Sequence, residues 1–561
     1  MTGGGSTTAV VAGWAKGYRR DWLRGDALGA LTAWALIVPE SVAYAQIAGV
    51  PPQNAFYAAP VALLAYALLG RSRFLIVGAT SAAAVLSAAT VAGVSADPKA
   101  AVGLSAALAV IVGAILVAAG VARLGFVTGF LAEPALTGFL FGMALTIVVR
   151  QLAELVGVSS GDGSFFERAW HLLRQVSDWS WTALAVGVIA LLLLFVLESL
   201  MPRLPASLVV LALGLLLSAA FGLKDHGVAI VGTIPSAVPV PRLPGIPAGD
   251  WLKLAGGALG VALVVFAETF GVADRFAREH GDEADADREM ISVGASNLVV
   301  GFVRGFAVSG SASRSAAAAG AGSRSPMTSL IAAALVLVTA AFLTPLLTDL
   351  PEPVLGAIVI MAVRGFLKVG ELRRYARLDR PGLWVALTAL FGVLLFDLLP
   401  GLLLAVALSL VLFIAAASRP RLAVLGRLPG SSRYGDTEQH PDAVPPSGVL
   451  VVRPDGGLFF GNITRTRLAL LELIRSGEST PRAVVLDLTA SHHLGLPVLD
   501  ALDELCDELG RRGAPLHLAR LRARARQELD RHPLAARLGP SAIHPTVEAA
   551  VAALGGAADG R

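Results

Sequence analysis

The stretch Ser309-Gly310-Ser311-Ala312-Ser313-Arg314-Ser315, followed by an alanine run to Gly320, decides how the chain is read. It continues as Ala321-Gly322-Ser323-Arg324-Ser325-Pro326. Small residues, hydroxyls and two arginines stand here inside a strongly hydrophobic chain, and a lipid-facing helix is not written this way. A helix over residues 311–322 reaches only about 18 Å at 1.5 Å per residue. The hydrocarbon core of a bilayer is about 30 Å thick. The segment therefore reads as a half-helix whose N-terminus lies near mid-membrane, inside the protein. Unpaired N–H groups and about half a positive charge gather at such a terminus. That favours an anion, and serine hydroxyls and a nearby arginine strengthen the attraction. A small-residue packing face between helices is the other reading of the same residues.

The composition sets the class. Of 561 residues, 55% are hydrophobic and 15% charged, and the mean hydropathy is +0.70. These values exclude a soluble globular protein and a disordered one. The single cysteine, Cys506, rules out an internal disulfide. The net charge of +4 is small, and basic residues in such a chain report topology before nucleic-acid binding, so no nucleic-acid partner is expected. Met1 to Tyr18 lacks the basic, apolar and small-residue succession of a cleavable signal. The sequence has no nucleophile triad, nucleotide loop or metal cluster, so neither an enzyme nor a cofactor is expected.

Apolar runs follow one another over roughly 27–46, 55–70, 75–95, 100–121, 125–149, 182–200, 206–222, 251–273, 290–303, 311–322, 327–347, 353–366, 382–397 and 400–417. Arg19, Arg20 and Arg24 precede the first run, Arg71 and Arg73 follow the second, and Arg275, Arg278 and Arg288 follow the eighth. An even count places all of these on one side, which the positive-inside rule makes cytoplasmic, with both termini there. Fourteen segments divide into seven and seven. The third, Leu75-Ile76-Val77-Gly78-Ala79-Thr80-Ser81 with its alanines, matches the tenth in character. Two small-residue segments at matching places predict an inverted-repeat transporter with its site between the broken helices. Because seven is odd, the halves have opposite orientation, so the two helix starts approach from opposite sides.

Past Ala417 the composition changes. Ser418 to Ser447 reads as a linker rich in proline, glycine and charge. A small α/β domain follows, with strands at Val449–Arg453, Leu458–Phe460, 483–488 and 516–521, and helices at Ile463–Ser476 and 497–509. The expected organisation is a cytoplasmic N-terminus over 1–24, a membrane domain over 25–420, a linker over 421–447 and a cytoplasmic domain over 448–561.

Five motifs in order resemble one family. They are Val38-Pro39-Glu40-Ser41-Val42-Ala43-Tyr44-Ala45 with Ala48-Gly49-Val50-Pro51-Pro52, Asp287-Arg288-Glu289-Met290-Ile291 with Asn297, Gly310-Ser311-Ala312-Ser313-Arg314-Ser315, Pro353-Val354-Leu355-Gly356-Ala357-Ile358-Val359, and Leu458-Phe459-Phe460-Gly461-Asn462. Each is weak alone; together the chain resembles the sulfate permease (SulP) anion transporters with a C-terminal STAS domain. The resemblance implies a polytopic α-helical membrane protein of seven plus seven inverted segments, with core and gate domains, and a homodimer in the cell (inner) membrane. It implies an anion site at Gly78, Ala79, Thr80 and Ser81 of the third segment and Ser311, Ala312, Ser313 and Arg314 of the tenth. Glu40 and Tyr44 of the first segment and Glu268 of the eighth line it. Ala79 stands where many relatives carry proline, which alters the lead-in to the half-helix but not its backbone donors.

Glu268 lies in the apolar run Val264-Val265-Phe266-Ala267-Glu268-Thr269-Phe270. A mid-membrane charge costs about 2.5–3.5 kcal/mol on insertion scales, so it faces a cavity or a partner. It is expected to couple anion entry to protons; an ion pair with Arg314 is the alternative. Glu40 follows Pro39, which is expected to interrupt the first helix, and either holds substrate or satisfies freed backbone groups. Tyr44, one turn on, closes the site or packs. Arg314 is expected behind the site, raising its potential, and Arg324 is read as a structural or cytoplasm-facing charge. In the C-terminal domain His492 and His493 read as a solvated loop and Cys506 as core. With no hydroxyl after Ser491, a phosphorylation switch there is not expected. The expected function is secondary active, proton-coupled transport of a small inorganic anion, sulfate first, by an elevator-like motion. Bicarbonate and dicarboxylates remain as other substrates, a membrane-anchored STAS scaffold as another class, and a cytoplasmic protein as a possible STAS partner.

Overall fold

A computed structural model describes residues 13–95, 97–126, 133–159, 161, 163–201, 205–235, 239–396, 398–477 and 480–555. Residues 1–12 of the expected cytoplasmic N-terminus and 127–132 of the segment expected over 125–149 lie outside these. The chain divides into two compact units, residues 1–409 and 410–561.

The first half of the membrane unit runs α1 (Leu23–Ala48), α2 (Pro52–Leu69), β1 (Val77–Gly78), α3 (Ser81–Ala92), α4 (Pro98–Val121), α5 (Glu133–Val156), α6 (Phe165–Arg174), α7 (Trp181–Leu200) and α8 (Ala206–Phe221). The second half repeats the plan with α9 (Ala248–His280), α10 (Ala286–Phe302), β2 (Ser309–Gly310), α11 (Ala312–Gly320), α12 (Met327–Val338), α13 (Glu352–Val363), α14 (Val369–Leu378), α15 (Arg380–Phe396) and α16 (Leu398–Ala417). Leaving aside the strongly amphipathic α6 and the short polar α14, this is the 7+7 arrangement. The third and tenth segments are the two that open as a short strand and continue as a short helix. Among the described residues, seven helical stretches are long and apolar enough to cross a membrane alone. Large apolar side chains stay exposed on α7, α8 and α15, among them Ile189, Phe195, Leu216 and Phe391, as a lipid-facing surface requires.

Two groups of helices pack mainly among themselves. One holds α1–α4 and α9–α12, the other α5, α7, α8, α13 and α15. These are the core and gate. Glycine sets the closest approach within the core, where α4 meets α10. A methyl group added at Gly113 would lie 2.6 Å from the carbonyl oxygen of Gly294, and one at Gly294 would lie 2.8 Å from the nitrogen of Val117. Gly120 and Gly301 are similarly tight against the backbone of the facing helix. Small residues let membrane helices come this close.

Two expectations are corrected in this unit. Pro39 does not interrupt α1, which is one continuous helix of 26 residues with Pro39 inside it. Without water, the neighbouring helical hydrogen bonds persist around the missing one. Helix α9 runs seven residues past the expected end at 273, to His280. Its last two turns are polar and extend the helix beyond the apolar run from which the boundary was read.

The C-terminal unit is a six-stranded sheet in the order β4-β3-β5-β6-β7-β8. Its elements are β3 (Leu422–Arg427), β4 (Tyr434–Asp436), β5 (Val449–Pro454), α17 (Ile463–Ser476), β6 (Ala483–Asp487), α18 (Leu496–Arg511), β7 (Leu516–Ala519), α19 (Ala523–Asp530), α20 (Pro533–Leu538), β8 (Ile543–His544) and α21 (Val547–Ala553). Strands β5 to β8 are parallel, and β3 is antiparallel to β5. Helices α17 to α20 cover one face and α21 the other. The stretch read as a linker over 421–447 thus supplies two strands. Alternating burial along Leu422–Leu425 marks β3 as a sheet member, a pattern masked by the prolines and charges around it. The expected strand at Leu458–Phe460 is a turn. Leu458 N–H donates to Ser491 Oγ and Phe459 N–H to Asn462 Oδ1, so its backbone is satisfied by side chains and not by a ladder.

Replacing Gly294 by isoleucine is expected to force α4 and α10 apart against main-chain atoms that cannot yield. Size-exclusion profile and melting temperature of the purified protein check this: Gly294→Ile should lose the folded peak, while Gly271→Ile, at a position open on all sides, should keep it.

Candidate anion site

The two broken segments meet strand to strand. Val77 pairs with Gly310 and Gly78 with Ser309 in antiparallel register. Antiparallel strands send the helices that follow in opposite directions, so α3 and α11 begin facing each other across the pairing. Ser311 N–H donates to Ile76 O at 3.0 Å, and Ile76 N–H to Ser315 Oγ at 2.9 Å. Each half-helix is capped by its own hydroxyl. Thr80 Oγ1 accepts from Ala83 N–H and Ser311 Oγ from Arg314 N–H, both at 3.4 Å. Such caps take up one donor each and leave the others of the first turn for a ligand.

Glu268 of α9 reaches this crossing. Its Oε2 accepts from Ser309 Oγ at 2.6 Å and from Thr80 Oγ1 at 3.2 Å, and these two hydroxyls are 2.7 Å apart. One carboxylate oxygen therefore bridges the two segments. The expected alternative, an ion pair between Glu268 and Arg314, is not the contact made. Arg314 is 1% exposed. Its Nη2 donates to Ala79 O at 2.7 Å and its Nη1 lies 3.4 Å from Glu40 Oε2. The guanidinium so lies behind β1, and a methyl group on Gly78 would press on it at 3.3 Å. Any side chain at 78 would require the guanidinium to give way by a few tenths of an ångström.

Glu40 is paired with Arg314. Tyr44, one turn on, is 6% exposed and buried in the same region. Ser81 is buried at the start of α3, whereas Ala312 and Ser313 are exposed on the first turn of α11. The exposed face of α11 continues through Ala316 and Gly320, and that of α9 runs from half-buried Glu268 through Gly271 to Arg275. Glu268 and Ser313 thus stand at the inner ends of two exposed stripes. The structure brings together Glu40, Gly78, Ala79, Thr80, Glu268, Ser311 and Arg314 through contacts. Tyr44, Ser81, Ala312 and Ser313 adjoin them by position.

Supporting residues were not read from the sequence as such. Asn297 of α10 donates to Val293 O and Val308 O, and accepts from Val308 N–H, all at 2.9 Å. It pins the chain one residue before β2. Thr269 Oγ1 accepts from Gly310 N–H at 3.0 Å. Glu289 accepts from Tyr66 OH at 2.5 Å and Ser72 N–H at 3.2 Å, fixing the turn that leads to β1. Fully buried Asp26 accepts from Arg324 N–H, Ser325 N–H, Ser325 Oγ and Thr328 Oγ1, anchoring the turn after α11. A lone amide in an apolar run was the available signal for Asn297.

Among the described residues no group of three or more His, Cys, Asp or Glu is placed to hold a metal. His493 Nδ1 meets Glu528 Oε1 at 2.6 Å while His492 Nδ1 turns to Ala490 O, so the two rings diverge. Burial would raise the Glu528 carboxyl, but Leu494 N–H, His493 and Arg524 hold it below its ordinary range. Cys506 is half-buried against the core of the C-terminal unit.

Comparison with known proteins agrees with this architecture. Residues 23–389 match the sulfate permease family, and residues 440–550 match the STAS domain. A probable sulfate transporter of Mycobacterium tuberculosis is 36% identical over 97% of this chain and 99% of its own length. Sulfate transporter 3.2 of Arabidopsis thaliana is 29% identical over 96% of this chain and 87% of its own. The murine Solute Carrier 26 family member A9 anion transporter, in the inward-facing state, superposes with a TM-score of 0.89 at 22% identity, covering 99% of this chain and 96% of that one. The transmembrane domain of the cyanobacterial bicarbonate transporter BicA gives a TM-score of 0.61 at 20% identity over 70% of this chain and 98% of that one. The chain belongs to the sulfate permease family, as a multi-pass membrane transporter of anions, not an enzyme, that carries a C-terminal STAS domain.

Proposed function

We propose that the protein is a secondary active, proton-coupled transporter of sulfate. One observation carries this reading: a single oxygen of Glu268 joins Thr80 and Ser309 where two half-helices begin face to face. The substrate anion sits at the starts of α3 and α11, against Ser81, Ala312 and Ser313, in the combined field of both helix ends. Buried Arg314 adds positive potential from behind while Glu40 holds its guanidinium in place. Sulfate is favoured because two facing dipoles and an arginine suit a dianion, and because two of the relatives just described are named for it.

Glu268 couples the anion to a proton by charge. A carboxylate and a unit anion about 5 Å apart repel by about 3 kcal/mol at an effective dielectric of about 20. A proton on Glu268 removes that repulsion and still leaves an oxygen for the Ser309 hydroxyl. Anion and proton therefore load together. Dense packing within the core and within the gate supports movement of one against the other, an elevator-like step. In this reading residues 25–420 form the transport domain in the inner membrane of the cell, both termini are cytoplasmic, and the protein is a homodimer. Its STAS domain contacts the second copy or a cytoplasmic protein.

Radiolabelled sulfate uptake into proteoliposomes tests the reading. An inward proton gradient should drive uptake by the wild type. Glu268→Gln should abolish the gradient response, and Ser313→Trp should abolish uptake altogether. Uptake of bicarbonate or a dicarboxylate instead, lost in Ser313→Trp, would correct the substrate. No anion uptake by folded protein would favour the anchored-scaffold alternative.

Arg314→Lys gives a separate check. Lysine cannot serve Ala79 O and Glu40 with one planar fork. Uptake should fall about tenfold or more, with the elution profile of the purified protein unchanged.

A further inference from the structure

On the side of the membrane unit where α1 begins, chain ends and turns surround a cavity of about 510 Å³. Its wall includes Arg19 and Trp22 before α1, Arg73 and Phe74 before β1, His280 at the end of α9, and Arg324 after α11. Among the described residues no carboxylate lines it. Arg324 uses its backbone N–H on Asp26, at 2.7 Å, and its exposed guanidinium makes no ion pair among the described residues. Arg19 and Arg73 are each held by one acid, Asp21 at 2.9 Å and Asp282 at 2.5 Å, with guanidinium nitrogens to spare. Phe74 stacks on the His280 ring, centroids 4.2 Å apart. His280 Nδ1 donates to Phe276 O at 2.9 Å, so Nε2 is a donor to an anion in the imidazolium form.

Three guanidinium groups and an imidazole around an open space suit a compact, multiply charged oxyanion. The C-terminal end of α11 opposes this with only about half a negative charge. Its last carbonyls are already taken: Ala317, Ala318 and Ala319 accept from Ala321, Ser323 and Gly322 N–H.

We propose that this cavity binds a phosphate or sulfate group, as a second anion site distinct from the one at Thr80 and Ser309. Its occupant joins the outer ends of the elements that build the inner site. Arg73 lies five residues before Gly78 of β1, His280 ends the helix that carries Glu268, and Arg324 follows the helix that starts after Ser311. A filled cavity holds these ends together, so it stabilises one arrangement of the inner site. The group comes either from a free anion or from the headgroup of an acidic lipid, and the inference does not depend on sulfate being the transported species.

The test uses the purified full-length chain in nanodiscs of phosphatidylcholine, reading melting temperature and equilibrium binding of labelled inorganic phosphate. Ser313→Trp, which blocks the inner site, should still bind phosphate. Arg324→Ala, which keeps the backbone bond to Asp26, should bind about tenfold or more weakly, and Arg324→Lys should recover part of the loss. A second set of nanodiscs contains phosphatidylglycerol. Stabilisation that depends on Arg324 and arises only in that set would assign the site to the lipid headgroup and uphold the proposal. Binding lost in Ser313→Trp, stabilisation that survives Arg324→Ala, or no response to either source would overturn it.

Discussion

Extended backbone in the middle of a membrane has no water to bond to, and that constraint organises the structure. Each unpaired N–H or C=O there costs several kcal/mol. The two interrupted segments meet the requirement by pairing with each other. Val77 and Gly78 lie against Gly310 and Ser309, and Ser311 N–H closes on Ile76 O. Side chains complete the accounting. Ser315 serves Ile76, Asn297 serves both polar groups of Val308, and Thr269 serves Gly310. Neither segment can hold its extended piece alone. The crossing exists because both halves of the chain are present, and it leaves two helix starts with spare donors facing one space.

Charge is arranged around that crossing in layers. Glu268 faces it through the hydroxyls of Thr80 and Ser309. Arg314 stands one layer back, tied to a carbonyl and to Glu40. Burying an ion pair is a poor source of stability. Its value here is positional: a fixed guanidinium sets the local potential without being drawn into the space proposed for the anion. Close glycine contacts between α4 and α10 give this assembly a stiff backing.

Much of the membrane unit was legible because the bilayer writes a strong signal into a chain. Fourteen apolar runs, and the small-residue character of two of them, were enough for the repeat, whereas Thr80, Ser311 and Glu268 entered as expected site residues only with the family resemblance. The partnership of Glu40 with Arg314 was not legible, since nothing local to either residue names the other. Pro39 misled because its cost in water is not its cost between packed helices. In the C-terminal unit β3 was hidden by the prolines and charges that follow it. Phe459 and Phe460 suggested a strand, although Asn462 and Ser491 had already claimed the backbone there. Supporting contacts such as those of Asp26 are the least readable, because they depend on which turns the fold brings together.

The Glu40–Arg314 contact also bears on how the protein is made. The partners are about 270 residues apart, and α1 leaves the ribosome first. At roughly 5–20 residues per second, the interval before Arg314 emerges is between about 15 and 55 s. During it Glu40 sits in a nascent helix without its cation. Helix α11, only nine residues long, cannot insert as an independent span and must enter by adding to helices already in place. The first helix is thus held open as a template until the tenth segment arrives, which makes the late stages of synthesis the point at which an error in either half would strand an unfinished chain.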